Sequence, residues 1–477
     1  MSYNVGNLDY SKAYNIHELA TILNAECYNC NESDVGYGVT IDTRVLTRGN
    51  IFVALRGRTI DGHCLINTAY SIGAQYFIVD HVNDQVKDKK YVLVSNTEEA
   101  LRKIANTSRD NFNGEVIGVT GSVGKSTTKN WLGFVIDKFG KTQTTYNNKN
   151  SYFGVLMTLA NLHEDTKYGV IEMGMSHRNE IQQLSKQAKP DIALITKVGI
   201  AHAGNFTNIH DLAYEKCDIA QGLINGGALI INRDEERYYD MMKYIESIRN
   251  DISIITFGQH DDANYRLLSI LHDKSTQKII TSCKGNVIEY ELLNLDSRWV
   301  YNTVGMIAVL DSLGIDLEIA TKYFKDLKLH DGVGNIHNIS NNHGTYIVID
   351  DTFNANPDSM KAAIVNLGET YKHNRKIAIL GDMLELGDIS NSEHVKLCEY
   401  LTDADVSRVY CYGKLMRSLY DTLPKEMIGE WSECTNELLS IITNDVKSGD
   451  VYLIKGSHNS DSQIGCMYKF VEALIKL

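Results

Sequence analysis

The residues best suited to chemistry form a glycine loop at residues 121–126. An apolar, strand-like run (residues 116–119) leads into Gly121-Ser122-Val123-Gly124, which ends in Lys125-Ser126 before a helix-like stretch. Such a loop points backbone N–H groups and a helix N-terminus at a polyphosphate, and the lysine adds positive charge. The hydroxyl of Ser126 can reach a magnesium ion. The loop therefore predicts binding and cleavage of a nucleoside triphosphate.

The loop departs from the full phosphate-loop pattern at its first position. Val119 stands six residues before Lys125, where the pattern has glycine, and Gly118 is one place away. The remaining Gly-x-x-Gly-Lys-Ser is only moderately specific. The alternative is a glycine turn with a surface lysine. The strand–loop–helix context that the motif requires is present, which favours the phosphate-binding interpretation.

Further polar residues follow the strands that come next along the chain. Short apolar runs at 168–173 and 191–196 are each followed by turn residues and a helical pattern. Glu172 lies at the end of the first run, and His202 follows the second. Ligands of open α/β sheets bind at the carboxyl ends of strands, so we expect these side chains near the glycine loop. An acid at a strand end is also a common helix N-cap, and that alternative stays open.

The alternation of strand-like and helix-like segments predicts an α/β protein with parallel sheets in three domains. We expect a small N-terminal domain at 1–85, a connecting helix or linker at 86–112, a central domain at 113–330 and a C-terminal domain at 331–477. Residues 253–295 are predicted to add strands to the central domain. A second alternating series begins near residue 345.

Composition limits the class of protein. The chain has 477 residues and a formal charge of −13, which argues against general nucleic-acid binding because phosphate backbones need basic patches. No run approaches 18 apolar residues, so no membrane span is expected. No signal peptide is visible, and the nine cysteines are scattered and odd in number, which fits reduced thiols. We expect a cytoplasmic protein.

Motifs along nearly the whole chain resemble the Mur ligase family. They are Asp42-Thr43-Arg44, Asp61-Gly62-His63, residues 120–126, Asn147-Asn148-Lys149-Asn150, Glu172-Met173-Gly174, Glu180-Ile181, Ala201-His202, residues 350–360, residues 380–387 and Lys455-Gly456-Ser457. The stretches at 350–360 and 380–387 most resemble the branch of the family whose substrates are UDP-N-acetylmuramoyl-tripeptide and D-Ala-D-Ala.

The resemblance implies a fold and an activity. The fold would be an N-terminal UDP-sugar-binding domain, a central ATP-binding domain and a Rossmann-like C-terminal domain. The activity would be ATP-dependent, ADP-forming amide ligation through an acyl phosphate, in the last cytoplasmic step of peptidoglycan precursor assembly. ATP and Mg²⁺ would be required, and the protein would act as a monomer. The sequence leaves open whether the third peptide residue is diaminopimelate or lysine.

The resemblance also implies roles for individual residues. Catalytic roles fall to Lys125, His202 and Lys216. Nucleotide contacts fall to Gly121, Ser122, Val123, Gly124, Lys125, Ser126, Thr127, Asn302 and Asp351. Metal ligands are Ser126, Glu172 and His202, with His202 on a second Mg²⁺. Substrate contacts are Thr43, Arg44, Asn148, Asn354 and Asn356. Lys216 stands where related ligases carry a carbamylated lysine; the alternative is an ordinary lysine on a helix surface.

Five positions depart from the family pattern: Lys197, Arg298, Val333, Phe353 and His458. At position 333 the family has an arginine that would help to hold ATP, and valine cannot replace it. Loss of one preorganised donor can cost ~3–4 kcal/mol of transition-state stabilisation. Two alternatives therefore remain beside an active enzyme. One is a weakened homologue that only binds the UDP-linked precursor, and the other is a different amide ligase such as a folylpolyglutamate synthase.

Overall fold

The computed structural model describes residues 12–57, 60–199, 206, 209–273, 276–293, 297–457 and 466–477. It consists of three α/β domains in chain order, each built on its own main sheet. The predicted fold class is confirmed.

The N-terminal domain contains a five-stranded sheet in the order β2-β7-β6-β5-β4, and β1 pairs separately with β3. Its elements are β1 Ala13–Asn15, α1 Ile16–Leu23, β2 Glu26–Tyr28, β3 Val35–Tyr37, β4 Val39–Thr40, β5 Ile51–Val53, α2 Ile66–Ile72, β6 Tyr76–Val79, β7 Lys90–Leu93 and α3 Thr97–Asp110. The sheet continues past the predicted boundary at residue 85, because β7 pairs with β6. β7 is a four-residue strand that begins with a lysine, so its alternation is weak in sequence.

The central domain has a nine-stranded sheet in the order β16-β15-β14-β13-β12-β11-β8-β10-β9. Its elements are β8 Glu115–Thr120, α4 Lys125–Ile136, β9 Thr142–Thr144, α5 Tyr152–Ala160, β10 Tyr168–Glu172, α6 Glu180–Ala188, β11 Ile192–Ile195, α7 Ile209–Cys217, β12 Ala228–Asn232, α8 Tyr238–Ile248, β13 Ser253–Gly258, β14 Tyr265–His272, β15 Thr276–Cys283, β16 Asn286–Leu293, α9 Ser297–Ser312 and α10 Leu317–Ala320. In the sheet order, all neighbours from β9 through β8 to β14 pair in parallel. Strands β14 to β16 pair antiparallel and form the extension predicted at 253–295.

The strands at the centre of this sheet are apolar along their length because helices cover both faces. In β8, Val116 packs into the core on one face, and Ile117 and Val119 pack into the core on the other. β11 alternates in the same way and pairs with β8 in parallel. β8, β10 and β11 therefore end at one edge, where their polar end residues meet.

The C-terminal domain has a six-stranded sheet in the order β17-β18-β22-β19-β20-β21, parallel except for β17. Its elements are β17 Asn335–Asn341, β18 Gly344–Asp351, α11 Pro357–Thr370, β19 Lys376–Gly381, α12 Ser390–Asp403, β20 Arg408–Tyr412, α13 Arg417–Tyr420, β21 Ile428–Ser432, α14 Thr435–Asn444, β22 Val451–Lys455 and α15 Cys466–Lys476. The sequence did not predict β17 and β21. Both are edge strands, and side chains along them are only partly buried, so neither shows the apolar run of a central strand.

A buried asparagine joins the N-terminal and central domains. Asn161, at the end of α5, accepts a hydrogen bond from the Val39 backbone N–H and donates one to the Val39 carbonyl, each at 2.8 Å. These contacts satisfy the backbone of the edge strand β4, which would otherwise lack a partner on that side. Within the described ranges, no helix combines the length and apolar content needed to cross a bilayer.

Candidate functional site

The glycine loop joins β8 to α4 through two backbone conformations that favour glycine. Gly121 has φ +148° and Gly124 has φ +87°. A Cβ atom on Gly124 would lie 2.7 Å from Nδ2 of Asn302, so a side chain there would collide with α9. α4 then begins at Lys125, which places its N-terminus at the loop. The predicted phosphate-binding geometry is present without the first glycine of the full pattern.

The segment that follows β11 fixes the loop in place. The Ser122 N–H donates to the Lys197 carbonyl at 2.6 Å, and the Ser122 hydroxyl donates to the Gly199 carbonyl at 2.8 Å. The Thr196 hydroxyl donates to the Val123 carbonyl at 2.7 Å. Lys197 takes part through its backbone, and its side chain is exposed. The departure from the family pattern at this position therefore leaves the loop contact intact.

Glu172 is fully buried at the end of β10, directly beside the loop. Its Oε1 accepts hydrogen bonds from the Ser126 hydroxyl at 2.9 Å and from Asn150 Nδ2 at 2.7 Å. Its Oε2 is also buried, and no residue in the described part of the chain donates to it. A buried carboxylate oxygen without a donor needs a cation or a proton. Carboxylate and hydroxyl oxygens are the ligands that Mg²⁺ prefers, so Glu172 and Ser126 fit a magnesium site.

Three buried or half-buried lysines lie at this end of the central domain. Lys125 is half-buried. Burial lowers the pKa of its ammonium, and the negative charge of Glu172 offsets part of that effect. Lys216, on α7, is 2% exposed, and burial holds its pKa well below the usual value, with the positive charge of Lys125 acting in the same direction. Lys216 is therefore a buried amine rather than the ordinary surface lysine of the alternative interpretation.

Sequence reasoning missed the third lysine, Lys129. It lies one helical turn after Lys125, and its ammonium donates to the carbonyls of Thr145 at 2.8 Å and Asn147 at 3.0 Å. Burial lowers its pKa as well. Its position four residues after the loop lysine was a usable signal, because positions i and i+4 share one helix face. Lys129 fixes the segment that leads to Asn148 and Asn150.

The loop, Glu172 and Lys216 border one cavity of about 400 Å³ between the central and C-terminal domains. The predicted residues that line it are Ser122, Val123, Gly124, Lys125, Ser126, Thr127, Asn148, Glu172, Lys216, Asp351, Asn354 and Asn356. Gly121 belongs to the loop and Asn302 lies against it at Gly124, but neither lines the cavity. The structure thus brings most of the predicted residues together at the shared edge of β8, β10 and β11.

The C-terminal wall of the cavity is built around an ion pair. Lys455 Nζ lies 3.0 Å from Asp351 Oδ2, and both side chains are at most 5% exposed. The same ammonium donates to the Asn354 carbonyl at 2.9 Å. Two departures from the family pattern, Val333 and Phe353, line this wall. The wall therefore combines a buried charge pair with apolar surface.

Two predicted substrate residues on this wall also have local structural roles. The Asn356 side chain accepts from the Ser359 N–H at 2.9 Å and caps α11. The Asn354 side chain accepts from the Ala355 N–H at 2.8 Å. Their assignment as substrate contacts stays a prediction.

Other predicted residues lie away from the cavity or outside the described residues. Arg44 has a side chain that is 79% exposed and pairs with Asp42 at 2.7 Å, and neither it nor Thr43 borders the cavity. His202 and His458 fall outside the described residues, as does the side chain of Arg298 at the start of α9.

A separate group of metal-ligating side chains lies in the N-terminal domain. His63, Asp80 and His81 have ligand atoms within 4.8 Å of one another. The Arg56 guanidinium lies 2.9 Å from Asp80 Oδ1 and 3.2 Å from His81 Nδ1, close to where a cation would bind. His63 Nδ1 is 2.7 Å from Asp61 Oδ1. This group is an ion-pair network with its own internal cation.

Comparison with family models agrees with this architecture. Residues 36–109 match the Mur ligase family catalytic domain, residues 119–310 match the Mur ligase middle domain, and residues 337–458 match the Mur ligase glutamate ligase domain.

Curated relatives and solved structures match along most of the chain. The UDP-N-acetylmuramoyl-tripeptide–D-alanyl-D-alanine ligase of Rickettsia prowazekii is 33% identical over 90% of this chain and 93% of its own length. The enzyme of the same name from Bacillus subtilis is 30% identical, over 89% and 91%. The structure of MurF from Acinetobacter baumannii superposes with a TM-score of 0.85 at 24% identity, covering 98% of this chain and all of the other. A MurF ligase from Thermotoga maritima in complex with ADP gives 0.77 at 24%, covering 92% and 98%. With this identity and coverage added to the site geometry, the chain belongs to the Mur ligase family.

Proposed function

We propose that this chain is an ATP-dependent, ADP-forming ligase that joins D-Ala-D-Ala to UDP-N-acetylmuramoyl-tripeptide. The observation that carries the proposal is the buried Glu172 carboxylate, hydrogen-bonded to Ser126 of the phosphate loop inside an interdomain cavity. The names of the relatives that match over 89–90% of the chain supply the substrates.

The chemistry follows from the weakness of a carboxylate as an electrophile. A carboxylate oxygen of the tripeptide attacks the γ-phosphorus of ATP, and the bond from that phosphorus to the β-bridging oxygen breaks to give ADP and an acyl phosphate. The amine of D-Ala-D-Ala then adds to the acyl carbon. The resulting tetrahedral intermediate loses a proton and expels phosphate, which leaves the amide.

The loop residues serve the phosphoryl step by positioning and by charge. Phosphoryl transfer needs charge neutralisation more than covalent help from the protein. The loop N–H groups and Lys125 would hold the β- and γ-phosphates. Ser126 and Glu172 would hold Mg²⁺, which supplies positive charge to the phosphate oxygens, and the resemblance assigns His202 to a second ion.

Lys216 is proposed to be carbamylated. Its low pKa supports this because the neutral amine, and not the ammonium, attacks carbon dioxide. A carbon–nitrogen bond forms, the nitrogen loses a proton, and the side chain becomes an anion. That anion would offset the positive charge of Lys125 and would support a metal ion or its water shell.

The remaining parts of the proposal concern the domain limits, the cellular location and the oligomeric state. The predicted domain limits other than that at residue 85, a cytoplasmic location and action as a monomer stay part of the proposal. Free cysteines at eight described positions are compatible with a reducing compartment.

Phosphate release tests the proposal. Purified protein with ATP and UDP-N-acetylmuramoyl-tripeptide should release phosphate rapidly only when D-Ala-D-Ala is added, and the UDP-linked product should gain the mass of the dipeptide less one water. Phosphate release that ignores D-Ala-D-Ala, or no mass gain, would contradict it.

Val333 and Arg298 keep a second candidate open, a homologue that only binds the precursor; of the two, Val333 lines the cavity. In that case the tripeptide would bind without turnover.

A further inference from the structure

His330 is a cavity residue that neither the sequence motifs nor the proposed mechanism uses. It lies in the connecting segment 328–334, between a 3₁₀ helix at Thr321–Asp326 and β17. The side chain is half-buried and lines the same cavity as the phosphate loop. Its imidazole makes no hydrogen bond to any residue that the structure describes.

The charges around His330 show which end of the cavity it borders. Burial lowers its pKa, and the charge of Lys129 acts in the same direction, while Asp331 and Glu172 oppose them. The Lys129 ammonium already donates hydrogen bonds to the carbonyls of Thr145 and Asn147. Glu172 is the carboxylate beside Ser126. His330 therefore lies toward the end of the cavity where Glu172 meets the loop.

The same connecting segment carries Val333, three residues after His330. Val333 also lines the cavity, and its apolar side chain offers no donor. The half-buried imidazole keeps access to water, and a ligand that enters the cavity can displace that water and accept its N–H. A neutral imidazole has one N–H to donate, so the contact does not require a charged histidine.

We propose that His330 donates a hydrogen bond to the terminal phosphate of the bound nucleotide and so supplies the contact that Val333 cannot. This inference rests on the proposed function, because it places ATP in the cavity. Ser126 and Glu172 would hold the Mg²⁺ that neutralises the reacting phosphates, so the terminal phosphate would lie toward this end of the cavity. ADP lacks this group, which gives the proposal a specific signature.

The test compares two nucleotides by titration calorimetry with magnesium present. His330→Ala should weaken binding of a methylene-bridged, non-hydrolysable ATP analogue about tenfold or more, as expected for a hydrogen bond to a charged group. Binding of ADP should change less than twofold. His343→Ala is the matched control, since His343 is exposed between β17 and β18. Its affinities for both ligands should equal those of the unaltered chain.

A double variant tests the compensation directly. If His330 replaces the missing donor, Val333→Arg should restore much of the affinity for the ATP analogue in the His330→Ala background and add little to the unaltered chain. Such non-additivity is expected for groups that share one partner, and the ADP affinity of the same variants shows whether a shift of the segment causes it instead. Thermal unfolding of each variant separates a lost contact from a lost fold.

Each contrary result has a distinct meaning. Unchanged affinity for the analogue in a folded His330→Ala protein, or equal losses for the analogue and ADP, would overturn the contact. Normal nucleotide binding without ligation would overturn the proposed function and leave the His330 contact standing. If the unaltered chain binds neither nucleotide, both proposals fail.

Discussion

The two walls of the cavity differ in how their polar groups are arranged. On the central-domain wall, the loop is held by backbone and hydroxyl contacts, and one oxygen of Glu172 receives no hydrogen bond from the described part of the chain. On the C-terminal wall, Asp351 and Lys455 already satisfy each other, and Val333 and Phe353 present apolar surface. The central-domain wall therefore offers polar groups to a charged ligand, and the charged groups of the C-terminal wall are already paired with each other.

The difference between the two walls indicates which residues should control turnover and which should control nucleotide affinity. The central wall holds the groups that any phosphoryl transfer needs. Of the five departures named above, the two that line the cavity, Val333 and Phe353, lie on the C-terminal wall. Substitutions on the central wall should therefore affect turnover most, and those on the C-terminal wall should tune nucleotide affinity.

The largest effect is expected for Lys125→Ala. Loss of the loop lysine removes a positive charge from the phosphates, so ligation should fall about 100-fold or more. The melting temperature should change little, because among the residues that the structure describes the ammonium makes a single, long hydrogen bond, 3.5 Å to the Ser122 carbonyl. Phosphate release and thermal unfolding measure the two quantities, with the exposed Lys138→Ala as control. Turnover like that of the unaltered chain would remove the phosphate-loop assignment.

Lys216 gives the next largest effect. Lys216→Ala should lose most activity, and small carboxylic acids such as acetate should restore part of it by occupying the place of the carbamate anion. Lys216→Glu should retain more activity than Lys216→Arg, since glutamate keeps the negative charge. Initial rates measured with and without about 100 mM acetate test whether the acid restores activity. If arginine serves as well as lysine, the carbamate is excluded.

On the C-terminal wall, Val333→Arg is expected to have a smaller effect. If the family's arginine is missing and neither His330 nor Arg298 replaces it, the change should lower KM for ATP or raise kcat about tenfold, the value of one charged hydrogen bond. If Arg298 already supplies the charge, Arg298→Ala should impair ATP use far more than Val333→Arg improves it. Steady-state kinetics with varied ATP separates these outcomes. No change in either variant, and none for Val333→Arg in the His330→Ala background, would place both positions outside the nucleotide site.

The smallest effect concerns the support of the central wall. Glu235 accepts a hydrogen bond from the Val198 N–H at 2.8 Å, in the segment that anchors the loop, and burial raises the pKa of its carboxyl to about 7. The folded protein therefore keeps this proton between the unfolded pKa, about 4.3, and 7, where the unfolded chain has lost it.

Because the folded state binds more protons in that window, stability should fall as pH rises from about 5 to 7. Glu235→Gln keeps the acceptor oxygen but cannot ionise, so its melting temperature should depend less on pH over the same range. Thermal unfolding at several pH values checks this. Parallel curves for the two proteins would show that Glu235 does not titrate there.

The sequence predicted what is local and periodic. The glycine loop, Glu172 and the three α/β domains follow from strand–loop–helix spacing and from the strand-end rule, which acts through neighbouring elements of one sheet. Lys216 could be placed only by resemblance, since its burial depends on packing between helices.

What the sequence did not predict depends on contacts between distant segments. His330 reaches the cavity because a short connection leads from the central to the C-terminal domain, and no periodic pattern marks it. Asp351 and Lys455 lie on β18 and β22, which are neighbours in the sheet but are separated by about a hundred residues of chain. The short strand β7 and the edge strands β17 and β21 lack the apolar runs that identify central strands.

One isotope measurement tests the central claim that ligation passes through an acyl phosphate. The tripeptide substrate is labelled with ¹⁸O in both oxygens of its reacting carboxylate and is incubated with ATP and D-Ala-D-Ala. The phosphate released is then analysed by mass spectrometry. The account predicts one ¹⁸O atom in each phosphate, because the attacking carboxylate oxygen leaves with phosphorus. Unlabelled phosphate formed together with the amide product would contradict it.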